Sequence, residues 1–222
     1  MREYPPGTVG ILSQDQTRWG WFCQSTLALQ TQLPPGSSVL WCQGLWISAA
    51  VNQIIRNMSG EWLCLMADDH QFSPDLVLRM LDHDVDIVAP LCCLRRLPFR
   101  PALFHEKGTG YQGYTWGELN GKSGLLPIDS MGGPGVVIRK RVLDAIGDPW
   151  FENHPHQRES PHEDLYFFSK CRQAGFQPHC DLDTPIGHIT PSVLYPRQDR
   201  AGAWGIRVWA NEDIALLNPG ES

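Results

Sequence analysis

Along this chain, short uniformly apolar runs alternate with stretches in which apolar positions recur every three to four residues. The runs are Val9–Leu12, Val39–Trp41, Leu63–Ala67 and Val85–Pro90. Runs of this length suit strands buried on both faces. Between the first two, Arg18–Gln32 carries Trp19, Phe22, Cys23, Leu27 and Leu29 at helical spacing, and Leu33-Pro34-Pro35-Gly36 stops it. Ser48–Met58, with Asn52 and Arg56, reads as a second helix closed by Ser59-Gly60. A third follows Ser73-Pro74-Asp75, with serine as the cap, proline at the first helical position and an acidic first turn, and it turns Leu76, Val77, Met80 and Leu81 to one side. The alternation predicts an α/β fold, with a mostly parallel central sheet flanked by helices on both faces.

One junction stands out. Leu63–Ala67 ends abruptly in Asp68-Asp69-His70. That is the C-terminal end of a central strand, where open α/β sheets bind their ligands. Two adjacent aspartates and a turn histidine are, in isolation, ordinary solvated loop residues; their position just past a buried strand argues for a site. Hard oxygen ligands there suit Mg²⁺ or Mn²⁺, and such a metal suits a diphosphate.

The second half is less regular. Residues 94–130 mix Arg95, Arg96 and Arg100 with prolines, six glycines, Tyr111, Tyr114 and Trp116, a composition that suits either a plain surface loop or a hairpin covering a site. Met131-Gly132-Gly133-Pro134-Gly135 precedes a strand, Val136–Ile138, and a helix, Lys140–Ile146. Those glycines permit close backbone approach to a ligand but match no phosphate-binding spacing. His154, His156 and His162 fall in a proline-broken polar stretch that reads as a solvated loop. Ser160-Pro161-His162-Glu163 fits a capping box, which accounts for Glu163 but leaves Asp164 without a capping role. The helix that follows runs to about Ala174-Gly175. His188 ends a segment expected to return to the sheet, and residues 191–222 read as a C-terminal arm or lid.

Composition narrows the classes. With 222 residues, 42% of them hydrophobic, the chain has enough core for one domain. A net charge of −6 leaves no global footprint for nucleic acid, but it does not exclude a local basic cleft, for which Arg95, Arg96, Arg100, Arg139, Lys140 and Arg141 are the candidates. The seven cysteines form no Cys-x-x-Cys pair, so buried free thiols in a reducing compartment are expected, and a zinc site is not. No signal-like start and no membrane-length apolar run is present, so a cytoplasmic protein is expected.

Four elements in order, Asp68-Asp69-His70, Gly132-Gly133-Pro134-Gly135, His162-Glu163-Asp164 and His188, together with the stretches EWLCLMADDHQFSPDLVLRML, MGGPGVVIRKRVLDAIGDPWF and HEDLYFFSKCRQAGF, resemble GT-A-type glycosyltransferases, particularly family 2-like enzymes, over roughly residues 8–190. The resemblance implies a Rossmann-like single domain over 1–190, with a nucleotide-sugar-binding half at 8–90, an acceptor and catalytic half at 91–190, a loop insertion, and the arm at 191–222. It implies Mn²⁺ or Mg²⁺ on Asp69, Asp68 and His188. Asp15, Asn52, Asp68, Gly132, Gly133 and Gly135 would lie against a nucleoside-diphosphate sugar, a UDP-sugar first. Asp164, beside Glu163, would be the general base of an inverting transfer to a glycan or other hydroxyl acceptor, modified DNA included. The sequence departs from the family in reading Ala67 before Asp68-Asp69-His70 and Val51 before Asn52. A metal-dependent nucleotidyltransferase and a non-catalytic sugar-binding domain are the rival classes.

Overall fold

Along Trp62–Ala67 the side chains alternate between two cores: Trp62, Cys64 and Met66 enter one, Leu63 and Leu65 the other. That two-residue period in an unbroken apolar run is what a strand covered on both faces requires. The computed structural model describes residues 3–13, 20–95, 98–108, 110–132, 134–152, 163–190, 193–210 and 213–217, with side chains described only as far as residue 206. Its elements, in chain order, are β1 (Thr8–Ser13), α1 (Gly20–Gln30), β2 (Ser38–Gln43), α2 (Ile47–Asn57), β3 (Trp62–Ala67), β4 (His70–Gln71), α3 (Leu76–Asp82), β5 (Ile87–Leu91), β6 (Leu103–Lys107), β7 (Gly110–Gly113), α4 (Trp116–Leu119), β8 (Leu125–Pro127), β9 (Ser130–Met131), β10 (Val136–Arg139), α5 (Lys140–Ile146), α6 (Glu163–Gln173), β11 (Pro178–Pro185), β12 (Gly187–Ile189), β13 (Val193–Gln198), β14 (Trp204–Ala210) and β15 (Asp213–Leu217).

The central sheet has seven strands in the order β2-β1-β3-β10-β5-β11-β8. β1, β2, β3, β5 and β11 point one way; β10 runs against both β3 and β5, and β8 against β11. The sheet is therefore mostly parallel, as the alternation predicts. α1 and α3 cover one face through Phe22, Leu29, Leu76, Val77, Met80 and Leu81. α2, α5 and α6 cover the other through Ile54, Ile55, Val142, Leu143, Phe167 and Phe168. Among the described residues no helix is long and apolar enough to cross a membrane.

Local differences from the sequence reading have local causes. α3 starts at Leu76, not at Pro74: Asp75 takes the cap position with its side chain turned to Arg79 instead of capping the helix, and Leu76 N donates to Ser73 O at 3.2 Å, so Ser73-Pro74-Asp75 is a turn ahead of the helix. Within 94–130, β6 and β7 form a hairpin. Tyr114 and Trp116 are buried, and Trp116 stacks on Trp204 with ring centroids 5.7 Å apart. The stretch read as a C-terminal arm carries β13, β14 and β15, an antiparallel meander that continues through β12 to β4.

Candidate active site

Three parallel strands end at the same edge of the sheet, and each delivers a polar group there. β3 leads into Asp68, Asp69 and His70. β5 leads into Cys92, Cys93 and Arg95. β11 leads into His188, after Ile186 N has been tied to Leu91 O at 2.9 Å. β4 and β12 then pair antiparallel with His70 opposite His188, and their rings stack at 4.4 Å. Ile189 N donates to Asp69 O at 2.7 Å, which fixes the backbone of the aspartate itself.

Asp69 is the hub. Its Oδ2 lies 2.9 Å from Arg95 Nη1 and 3.5 Å from His188 Nε2. Its Oδ1 is buried and accepts no well-aligned hydrogen bond, although His70 Nδ1 stands 2.8 Å away. Burial alone would raise the Asp69 pKa, but the His188 and His70 imidazoles hold the carboxyl well below its usual range, so it is ionised. His70 is 2% exposed, and burial pushes its imidazole towards the neutral form against the pull of Asp69. Among the described residues, His70 Nε2 is buried without a hydrogen-bond partner. His188 Nδ1 is 2.7 Å from Cys93 O. Asp68 turns the other way and accepts from Ser13 Oγ at 2.6 Å, at the end of β1. An ionised buried carboxylate next to an unpartnered imidazole nitrogen is a donor set that fits a divalent cation.

A second carboxylate flanks this cluster. Ala102 N donates to Cys92 O and Gly132 N to Ala102 O, both at 2.9 Å. Gly132 is thus two backbone-pairing steps from Cys92, about 10 Å. A Cβ on Gly132 would stand 3.9 Å from Asp164 Oδ2. Asp164 lies in the first turn of α6, where the helix dipole favours an anion, and its Oδ1 accepts from Leu165 N at 2.8 Å. Tyr111 of the β6–β7 hairpin donates to Leu165 O at 3.1 Å, so the hairpin braces this turn. Glu163 opens the same helix.

A family model for glycosyl transferase family 2 matches residues 26–147, more than half of the chain. The chain belongs to glycosyl transferase family 2. Among solved structures it is similar to the protein A197 from STIV, at 11% identity and a TM-score of 0.57, over 93% of this chain and 96% of that one; at that identity the likeness shows the fold, a GT-A-like one. No curated protein matches the chain.

The family match spans Asp68–His70 and Gly132–Gly135 and ends before Asp164 and His188, which reach the same edge through α6 and β12. The other expected residues fare differently. Asn52 spends both ends of its amide on the backbone of Phe151, donating to its O at 2.7 Å and accepting from its N at 2.9 Å. Gly135 has a packing reason to be glycine: its φ is +75° and a Cβ would lie 2.7 Å from Pro90 Cγ. Asp15, Gly133 and the histidines His154, His156 and His162 lie outside the described residues, as does Ser160 of the capping box.

Of the expected basic cleft, Arg139, Lys140 and Arg141 lie apart from Arg95, and Arg96 lies outside the described residues. Arg139 pairs with Trp62 at the start of β3, whereas Asp68 follows its end, about 20 Å away at 3.3 Å per residue. Arg139, Lys140 and Arg141 meet Asp84, Asp144 and Asp86, and Arg95 meets Asp69.

Cys92 and Arg95 are site residues that the sequence reading did not single out as such. The available signal was positional, because both follow the apolar run of β5 just as Asp68 follows that of β3.

Proposed function

We propose that this protein transfers a sugar from a nucleoside-diphosphate sugar, a UDP-sugar in the first instance, to an acceptor hydroxyl, with inversion at the anomeric carbon. The observation that carries this reading is the Asp164 carboxylate beside Gly132, about two strand spacings from the Asp69 cluster. That separation leaves room for one sugar between a base and a leaving group. Asp164 accepts the proton of the acceptor hydroxyl as its oxygen bonds to the anomeric carbon. The bond from that carbon to the diphosphate oxygen breaks, and the nucleoside diphosphate departs with its electrons. Arg95, beside Asp69 and half exposed, offers its guanidinium to the phosphates. Asp68 and Ser13, joined at the ends of β3 and β1, face the nucleotide side. Asp69 and His188 would help to hold a divalent cation, which when bound would neutralise charge on the leaving diphosphate. Gly132 leaves the space beside Asp164 open to the sugar. The acceptor is a saccharide or a protein- or lipid-linked glycan; the dispersal of the basic residues speaks against DNA.

The test is Asp164→Asn. Turnover should fall about 10²–10⁴-fold, while binding of the sugar donor, read by calorimetry, stays within about threefold of wild type. Loss of binding together with turnover would remove Asp164 from the role of base.

A further inference from the structure

We infer that His70, Cys92 and His188 form a mixed nitrogen–sulfur ligand set for a borderline divalent cation, zinc in the first instance, in preference to a hard magnesium ion. The inference deepens the function proposed above by naming the metal and a ligand for it, and it rests on the same cluster.

One ligand atom from each of the three residues lies within 4.8 Å of the others. With Zn–N near 2.1 Å and Zn–S near 2.3 Å, ligands on one tetrahedral ion stand about 3.4–3.7 Å apart. Holding one ion would require these atoms to close by up to about 1.4 Å.

The surrounding hydrogen bonds select the nitrogens. His188 Nδ1 faces the Cys93 carbonyl at 2.7 Å, so in the neutral ring Nδ1 carries the hydrogen and Nε2 the lone pair. His70 Nδ1 is hydrogen-bonded to Ala67 O at 3.4 Å, with the Asp69 carboxylate close by, which leaves its Nε2 as the lone-pair nitrogen. That Nε2 is buried with no hydrogen-bond partner among the described residues. An orphaned acceptor in a closed site is a standing cost, and a cation removes it. The carbonyl or carboxylate behind each ring is the outer support that metal-bound histidines use.

Cys92 sets the preference. A thiol and two imidazoles suit zinc, cobalt and nickel, whereas magnesium needs six oxygens in an octahedron. Coordination replaces the S–H bond of Cys92 by a metal–sulfur bond, and the proton leaves to solvent. Asp69 Oδ2, paired to Arg95 at 2.9 Å, lies 3.5 Å from His188 Nε2 at the margin of the set.

The experiment reads metal alone, with no sugar donor present, so its outcome is independent of whether the transfer reaction is correct. Metal-free full-length protein is titrated with Co²⁺ and then challenged with Zn²⁺ or Mg²⁺. The expected result is one Co²⁺ per chain with a thiolate-to-cobalt charge-transfer band, displaced by Zn²⁺ at least about 100-fold more effectively than by Mg²⁺. Cys92→Ser should abolish the band, and His70→Gln should weaken binding at least tenfold. X-ray absorption of the wild-type zinc form should show a sulfur shell near 2.3 Å, which keeps the test open if a variant does not fold. Binding without a charge-transfer band, a zinc shell of nitrogen and oxygen only, or equal displacement by Mg²⁺ would overturn the assignment.

Discussion

His70 and His188 face each other across the β4–β12 ladder, their rings stacked 4.4 Å apart, although 118 positions separate them in the chain (188 less 70). The pairing register, not sequence proximity, brings them together. Slipping β12 by one residue would turn His188 to the other face of its sheet and put Ile189 or Gly187 in its place.

Asn52 separates a structural residue from a nucleotide contact. Replacing it by alanine removes two buried hydrogen bonds to Phe151 and leaves a backbone N–H and C=O unsatisfied. Urea denaturation should show a loss of about 2–3 kcal/mol. Affinity for the sugar donor should change little. A large loss of affinity in a protein of unchanged stability would return Asn52 to the nucleotide site.

The two described glycines of the Gly132–Gly135 turn should behave oppositely. Gly135→Ala forces a positive φ on a side chain and a 2.7 Å contact with Pro90, so it should cost at least about 2 kcal/mol of stability. Gly132→Ala meets only ordinary contacts, Ala102 Cβ at 3.6 Å and Asp164 Oδ2 at 3.9 Å, so its melting temperature should stay near that of wild type. Its turnover should fall, because the new methyl stands beside Asp164. Equal turnover in Gly132→Ala and wild type would show that no substrate atom uses that space.

Trp46 is 86% exposed just beyond β2, next to Leu45 and Ile47, at the edge where the parallel strands end. A flat aromatic in that position offers a stacking face to a nucleobase, worth about 1–3 kcal/mol. Trp46→Ala should weaken binding of the free nucleoside diphosphate about tenfold and leave folding stability within about 0.5 kcal/mol. Unchanged nucleotide affinity would remove Trp46 from the donor site.

Thiol chemistry has a clear sign. Burial pushes Cys64 and Cys93 up to about 12 and Cys92 well above its ordinary value, whereas Cys23 is partly exposed. A thiol with a raised pKa stays protonated and unreactive below it. At pH 8, in metal-free native protein, an alkylating reagent should modify Cys23 first, and mass spectrometry should find Cys64, Cys92 and Cys93 intact until denaturant is added. Rapid native labelling of Cys92 would contradict its enclosure.

Much of the central sheet was legible because its strands are short apolar runs with turn chemistry on both sides. Asp68 and Asp69 were legible for the same reason, since a carboxylate directly after a buried strand interrupts a pattern. Cys92 was not, because a cysteine after Leu91 merely extends the apolar run. Arg95 read as one more member of a basic cluster, and only the fold shows it against Asp69 while Arg139 lies at the far end of β3. The meander of β13 to β15 was hidden by its polar residues and by Pro196, which pairs opposite Ile206. No local period announces contacts between segments a hundred residues apart.

The place of β10 bears on the order in which the molecule can be made. β3 and β5 are near neighbours in sequence, yet the slot between them is filled by Val136–Arg139, which arrives only after the whole β6–β9 excursion. Until then two apolar strands present unpaired edges to each other and to other chains. Closing that slot is a long-range event, and long-range closures come slowly. His188 lies later still in sequence, so a chain interrupted before Val136 would carry sticky edges and only part of the cluster.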